Sequence, residues 1–268
     1  KSKGMFLVCS LPSNGLTTTV NAALRATDFH SREWVAVEEK NQVETEIAEI
    51  KVETYDAEMG QSPATALPGL IRGYPDAYLV RNLVNAETLR ILLGKDIAGE
   101  GKIMISSVPA KEAAEAPLRI LMLKDAKGQA VPPAEFAPHL LGVLNVRLIR
   151  KLCVDCRQPF EVTPQYLQQL GLQPGSVQQL YRHGTPVSDR PKDICQTCGG
   201  RGFAGRTGLF ELTVYNDRLR QVLAQTPRVE NLRAESLQAG CANLQHEGIR
   251  LVVAGITSLE ELQRVLQQ

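Results

Sequence analysis

The chain has 268 residues, 43% of them hydrophobic, and carries 30 Lys and Arg against 29 Asp and Glu for a net charge of +1. That content supports one large or two to three small packed domains, and disorder is not the default reading. The near-neutral balance offers no global field for nucleic acid or anionic lipid, and no run of about 18 apolar residues predicts a membrane-spanning helix.

The opening KSKGMFLVCS turns polar too soon for a signal peptide, so the chain reads as soluble and cytoplasmic. It starts at Lys1 without a methionine, directly before an apolar run, which predicts further domains upstream. Met5 to Val8 predicts a strand, SLPSNG a loop and TTTVNAALRA a helix. Apolar runs at Trp34 to Val37, Ala77 to Val80 and Ile103 to Ser106 predict further strands, alternating with helical spacing over Ala86 to Ile97 and Lys111 to Leu123. Strands interleaved with helices imply a mainly parallel sheet. After Phe136, a helical segment ending in LNVRLIRKL runs into Cys153, and a Gly, Pro and Gln-rich stretch follows to Cys198. From Asp217 the spacing is helical again, and Ser258 with Glu261 forms a capping box for a last helix, SLEELQRVL.

SLPSNGLTT lies between strand and helix, where the pattern G-x-x-x-x-G-K-[ST] would cradle phosphates. Ser10, Gly15, Leu16 and Thr17 fall on its four defining positions, and Thr18 follows. Gly15 and Thr17 fit, whereas Ser10 replaces a glycine and Leu16 replaces the lysine. Taken alone, the segment reads as an ordinary βα turn capped by Thr17.

Four of the six cysteines form two pairs, Cys153 with Cys156 and Cys195 with Cys198. Thiolates two residues apart can take two corners of a tetrahedron around zinc, and Gly199 and Gly200 permit the tight turn after the second pair. The 38 residues between the pairs exceed the usual zinc-ribbon spacing of about 15–20, so the middle must fold as an insertion or arm. Two disulfides, or unrelated buried cysteines, are the competing readings. Four thiolates leave no open position for catalysis. Arg147, Arg150 and Lys151 beside Cys153 read as a solvated helix face, because no aromatic residues are interleaved for base stacking. His30, His139, His183 and His246 have no paired spacing, and Trp34 reads as core.

LNVRLIRKLCVDCRQPF, CQTCGGRGFAGRTGLFEL and GITSLEELQRVL occur in this order and resemble the C-terminal half of type II secretion and type IV pilus assembly ATPases. The resemblance covers essentially the whole chain. It implies an α/β fold with a RecA-like P-loop core over residues 1–145, a tetracysteine zinc module over 146–212 and a C-terminal helical region over 213–268. Family members are normally hexameric.

In that frame GMFLVCSLPSNGLTTT is similar to the Walker A segment, with Leu16 in the place of its lysine and Thr17 retained for magnesium. VAVEEKN is similar to the acidic segment that supplies a catalytic carboxylate. Glu38 and Glu39 survive there, while a proline and a second glutamate become Lys40 and Gln42. Three arginines expected upstream of Walker B appear as Thr65, Pro68 and Arg72. YPDAYLVRNLVNAET resembles Walker B, keeping Pro75, Asp76, Glu87 and Thr88 but placing Arg81 and Asn82 at its glycine and glutamate. Lys102 and Pro109 stand where two histidines belong.

Phosphoryl transfer depends on positioning and charge stabilisation, so losing several such groups together predicts a pseudo-ATPase. Glu38, Glu39 and Asp76 are then remnants of a catalytic set, and Ser10, Gly15, Leu16, Thr17 and Thr18 of a nucleotide loop. Structural zinc on Cys153, Cys156, Cys195 and Cys198 is the expected cofactor, whereas ATP and magnesium lose most of their ligands. The resemblance implies partners among inner-membrane secretion or pilus platform proteins and active ATPase relatives, with no nucleic acid and membrane contact only through those partners. The competing reading is a slow or rewired ATPase in which Arg81 takes over the role of the missing lysine.

Overall fold

The computed structural model describes residues 3–27, 29–184 and 194–268. In chain order the elements are β1 (Gly4–Ser10), α1 (Leu16–Ala26), β2 (Trp34–Glu39), β3 (Lys51–Tyr55), α2 (Pro63–Ile71), β4 (Ala77–Val80), α3 (Ala86–Leu93), β5 (Ile103–Pro109), α4 (Ala116–Leu121) and α5 (Pro133–Phe136). There follow β6 (Leu140–Leu152), β7 (Gln158–Glu161), α6 (Pro164–Gln169), β8 (Gln179–Arg182), β9 (Phe203–Val214), α7 (Asp217–Gln225), α8 (Val229–Gln238), α9 (Leu244–Val253) and α10 (Leu259–Leu266). A seven-stranded sheet runs in the order β3-β2-β4-β5-β1-β6-β9, and β7 and β8 form a separate antiparallel pair. The pairings from β3 through β6 are parallel, as the alternation of strands and helices predicts.

Two compact units emerge, residues 1–146 with 211–241 and residues 147–210 with 242–268. The expected separate helical region over 213–268 is therefore divided. Its first part, including α7 and α8, belongs to the first unit, and α9 and α10 belong to the second. Leu219, Leu223 and Leu232 bury their side chains in the large core of the first unit, whereas Leu244, Ile249, Val252, Leu262 and Val265 join a core with Ile149, Leu180 and Leu209.

In the first unit, period-two alternation sends strand residues to two faces. Met5, Leu7, Cys9, Val35, Val37, Tyr78 and Val80 meet the apolar stripes of α2, α3, α4 and α7. On the other face, Val8, Trp34, Ala36, Leu79 and Ile105 meet Val20 and Leu24 of α1 together with Ile47 and Ile50. Trp34 is core, as expected.

LNVRLIRKL is strand, not helix: it forms the end of the 13-residue β6. Its apolar spacing satisfies both periods, but β-branched Val143 and Val146 and the register Phe6↔Gly142, Val8↔Leu144, Ser10↔Val146 select the extended form. Arg147, Arg150 and Lys151 consequently do not share a solvated helix face. Arg147 is buried and donates from Nη1 to the Val265 carbonyl at 2.7 Å, while Arg150 pairs with Glu261 at 2.6 Å.

Glu261 organises the second unit. Ser258 caps α10 by accepting from the Glu261 amide at 3.3 Å, so the predicted cap forms. The Glu261 side chain is buried and accepts from the Arg150 amide at 3.1 Å, from the Arg150 guanidinium, and from Arg264 Nε and Nη2 at 2.7 Å each. α9 and α10 approach closely at Gly248, where a Cβ would lie 2.2 Å from Leu262 Cδ1.

Burial opposes ionisation of Glu261, but its bonds from Arg264 and Arg150 prevail and hold its carboxyl down to about 2 from the ordinary 4.5. A depressed carboxylate contributes stability that is complete above its unfolded value and is lost as pH falls through its folded one. Glu261→Gln is therefore expected to cost about 2 kcal/mol at pH 7, allowing for half-exposed arginine partners. The difference from wild type should shrink between about pH 4.5 and pH 2 in urea denaturation, and a pH-independent difference would contradict the assignment.

Candidate functional site

Ligands of parallel α/β sheets bind beyond the carboxyl ends of the strands. Here β1 ends at Ser10, in register with Pro109 of β5 and Val146 of β6. The chain turns through residues 11–15, with the Asn14 amide donating to Leu11 O at 3.2 Å and Asn14 Nδ2 to Pro12 O at 3.0 Å. Ser10 is buried and spends its hydroxyl on Leu11 O at 2.9 Å. Gly15, at φ 87°, caps α1 without any side-chain hydrogen bond, so Thr17 lies inside the helix and is not its cap. Leu16 packs on the Val8, Val20 and Leu24 cluster. Thr17 is half-buried and Thr18 exposed.

The dominant polar feature is built around Glu38, which lies one residue beyond the Val37↔Val80 pairing and beside Arg81. Glu38 is completely buried and Arg81 nearly so. Arg81 Nε donates to Glu38 Oε1 at 2.8 Å, Nη2 to Asn21 Oδ1 at 2.8 Å and Thr45 Oγ1 at 3.4 Å, and Nη1 to Glu44 Oε2 at 3.3 Å. Glu38 Oε2 accepts the Glu44 amide at 2.6 Å and the Thr45 amide at 3.3 Å, while the Thr45 hydroxyl donates to Oε1. Burial pushes the Glu38 carboxyl up, but the Thr45 hydroxyl, the Glu44 amide and Arg81 together hold it below the usual carboxylate range. The group is ionised, yet both oxygens are already taken. A carboxylate so occupied has little capacity to orient a water.

The other expected residues are dispersed. Glu39 closes β2 in register with Tyr55, whose phenol is raised first by burial and then by the Glu39 charge. Asp76 lies at the amino end of β4, where its carboxylate accepts the Glu33 amide at 3.0 Å. Ala77 and Gly4 both pair with Ile103, so Asp76 sits at the end of the sheet opposite Ser10 and does not join the Glu38 group. Lys102 and Pro109 fall at opposite ends of β5, and Thr65 and Pro68 lie within α2, just before Arg72. The partners Asn21, Glu44 and Thr45 escape sequence reasoning. The available signal is Arg81 itself, a cation following the apolar run AYLV.

In the second unit the four paired cysteines converge, with all four Sγ atoms within 4.8 Å of one another. Cys153 and Cys195 approach to 3.7 Å and Cys156 and Cys198 to 3.6 Å. Four sulfurs at ~2.3 Å from a tetrahedral zinc stand ~3.8 Å apart, so the spacing fits a metal ion. None of the four is in a disulfide. Thr197 donates to Asp155 between the two turns, and the Gly202 amide reaches Cys198 Sγ at 3.3 Å. Against the effect of burial, that amide and the neighbouring thiols hold Cys198 down to about 7, whereas burial and the same thiols push Cys156 up to about 12. A divalent cation would relieve this competition by stabilising all four thiolates. Cys153 and Cys198 are buried and Cys156 and Cys195 half-buried.

A sequence profile described as Type II/IV secretion system protein matches residues 1–264. The type II secretion system protein E of Pectobacterium carotovorum subsp. carotovorum is 30% identical over 266 residues, 99% of this chain and 49% of that protein. The type IV pilus assembly ATPase PilB of Thermus thermophilus is 28% identical over 98% of this chain and 28% of its own length. The chain thus spans about half the length of the type II secretion relatives and less of PilB. Among solved structures, the Legionella pneumophila ATPase DotB matches with TM-score 0.65 at 14% identity, over 100% of this chain and 61% of that one. The pilus retraction motor PilT with bound ADP matches with TM-score 0.63 at 16% identity, over 99% and 62%. These two structures show the fold.

Removing Arg81 would leave Glu38 buried without its cation, a change that typically costs about 3–5 kcal/mol. Arg81→Met is expected to lose about that much stability, followed through the fluorescence of the single tryptophan, Trp34, which lies on β2. Arg81→Met with Glu38→Leu should recover at least half of the loss. Equal losses in the two variants would mean that the charge pairing is not what stabilises the group.

Proposed function

The chain belongs to the Type II/IV secretion system protein family, and on that premise we propose that it is a non-hydrolysing member, a pseudo-ATPase subunit or scaffold related to secretion and pilus assembly motors. The observation that carries this reading is the capture of Glu38 by Arg81, Thr45 and the Glu44 amide. A general base must have an oxygen free for the attacking water, and Glu38 has both engaged. Leu16 supplies no cation for a terminal phosphate. Arg81 does not readily replace it, because Nε, Nη1 and Nη2 are each committed to neighbouring side chains. The slow or rewired ATPase therefore has less support than the scaffold. Loss of one electrostatic contact to a transition state costs about 2.7–4 kcal/mol, and two such losses correspond to roughly ten-thousandfold or more in rate before non-additivity.

In this reading zinc is the ion held by Cys153, Cys156, Cys195 and Cys198, and its role is structural because the four sulfurs complete its coordination. The retained shape then serves docking on inner-membrane platform proteins or on active ATPase relatives in a hexameric assembly, at the cytoplasmic side of the inner membrane. Among the described residues no helix is long and apolar enough to cross a membrane, so membrane association would run through those partners.

Calorimetry with Mg-ATP and Mg-ADP is expected to give no binding below millimolar, and phosphate release should stay at background. Micromolar binding coupled to hydrolysis that Thr17→Ala abolishes would overturn the reading. Metal analysis should find one zinc per chain. Cys153→Ser with Cys195→Ser should release it and destabilise the second unit, whereas retention of zinc by that double variant would refute the tetracysteine assignment.

A further inference from the structure

Residues 40–50, which connect β2 to β3, are tied to three elements at once. The Glu44 and Thr45 amides donate to Glu38 on β2. Asn21 on α1 donates from Nδ2 to the Glu44 carbonyl at 2.9 Å, and Arg25 on the same helix pairs with Glu46 at 3.1 Å. Arg81, just after β4, reaches the Glu44 carboxylate and the Thr45 hydroxyl while also binding Asn21 and Glu38. Ile47 and Ile50 are buried with Val20 and Leu24. Every group in this arrangement comes from the chain itself.

We propose that Arg81 is a built-in cation that holds residues 40–50 in one position against α1, β2 and β4, making this part of the surface constitutive instead of responsive to nucleotide. The inference rests on the loss of hydrolysis proposed above and extends it to the regulation of the same site. A ligand shifts an equilibrium only by its differential affinity for two states. Here the contacts that would distinguish a docked segment from a released one are already made internally. The guanidinium is central because it is the one group that touches Asn21, Glu38, Glu44 and Thr45 together, so its removal loosens all four at once. The Glu44 and Thr45 amides bond Glu38, whose charge Arg81 balances, so the arginine acts on them through that carboxylate.

Hydrogen exchange at the Glu44 and Thr45 amides, measured on the 268-residue chain, tests this directly. Without nucleotide, both amides should be protected to about the level of the β2 amides, and millimolar Mg-ATP should change nothing. In Arg81→Met with Glu38→Gln, which keeps an acceptor for the amides but removes the buried charge pair, protection at Glu44 and Thr45 should fall roughly tenfold to hundredfold. The amides of Leu7 and Leu79 should stay protected and so report an intact sheet. The proposal is overturned if the wild-type amides exchange freely, if they become protected only with Mg-ATP, or if the double variant keeps wild-type protection. Phosphate release separates the two readings: hydrolysis beside a protected segment removes the non-hydrolysing role and leaves the clamp, while an unprotected segment without hydrolysis does the reverse.

Discussion

A carboxylate withdrawn from water must be matched by charge and hydrogen bonds, and in the first unit that constraint falls on Glu38. The side chain is fully buried at the end of β2, where an unpaired negative charge would be strongly destabilising. Arg81 meets it from the next strand, and the segment that follows β2 turns back so that Glu44 and Thr45 complete the shell. The path of the β2–β3 connection and the placement of α1 through Asn21 are bound to this compensation. Glu38 thereby serves as a structural anchor for these elements.

The second unit solves the same electrostatic problem twice. Glu261 is buried between Arg150 and Arg264 and joins the last helix to β6. The four cysteines form another concentration of potential negative charge, which a divalent ion would partly offset. In both places residues far apart in sequence are brought together, Glu261 with Arg150 and the first cysteine pair with the second. Such compensation gives definite geometry to a unit whose apolar core is smaller than that of the first.

Legibility in the sequence follows from how local the determinants are. GMFLVCS and AYLV announce β1 and β4 because strands buried on both faces are continuous apolar runs. KVETY does not announce β3, since it lies at the sheet edge with charged residues facing solvent. The apolar spacing of LNVRLIRKL is compatible with helix and strand alike, and pairing with β1 decides between them. The cysteine pairs declare their chemistry through spacing, although their convergence across 38 residues is a property of the fold. Leu16 is readable as a missing cation. The Arg81 network is not, because Asn21 lies 60 residues from Arg81 and nothing in either local pattern names the other.

The departures from the resembled nucleotide site proposed for Ser10, Leu16 and Arg81 share a physical direction. A phosphate loop keeps polar donors and a cation aimed into solvent or ligand, which leaves charge unsatisfied when the site is empty. Leu16 replaces such a cation with apolar surface that packs against Val20 and Leu24, Ser10 closes its hydroxyl on the adjacent carbonyl, and Arg81 fills the space around Glu38 with intramolecular bonds. Each change reduces what an incoming nucleotide could gain and increases what the empty fold already has. Active-site groups are commonly held at a cost to stability, so such an exchange is what the proposed loss of hydrolysis would permit. Under the non-hydrolysing reading proposed above, Arg81 is the residue at which loss of chemistry and gain of rigidity would be the same event.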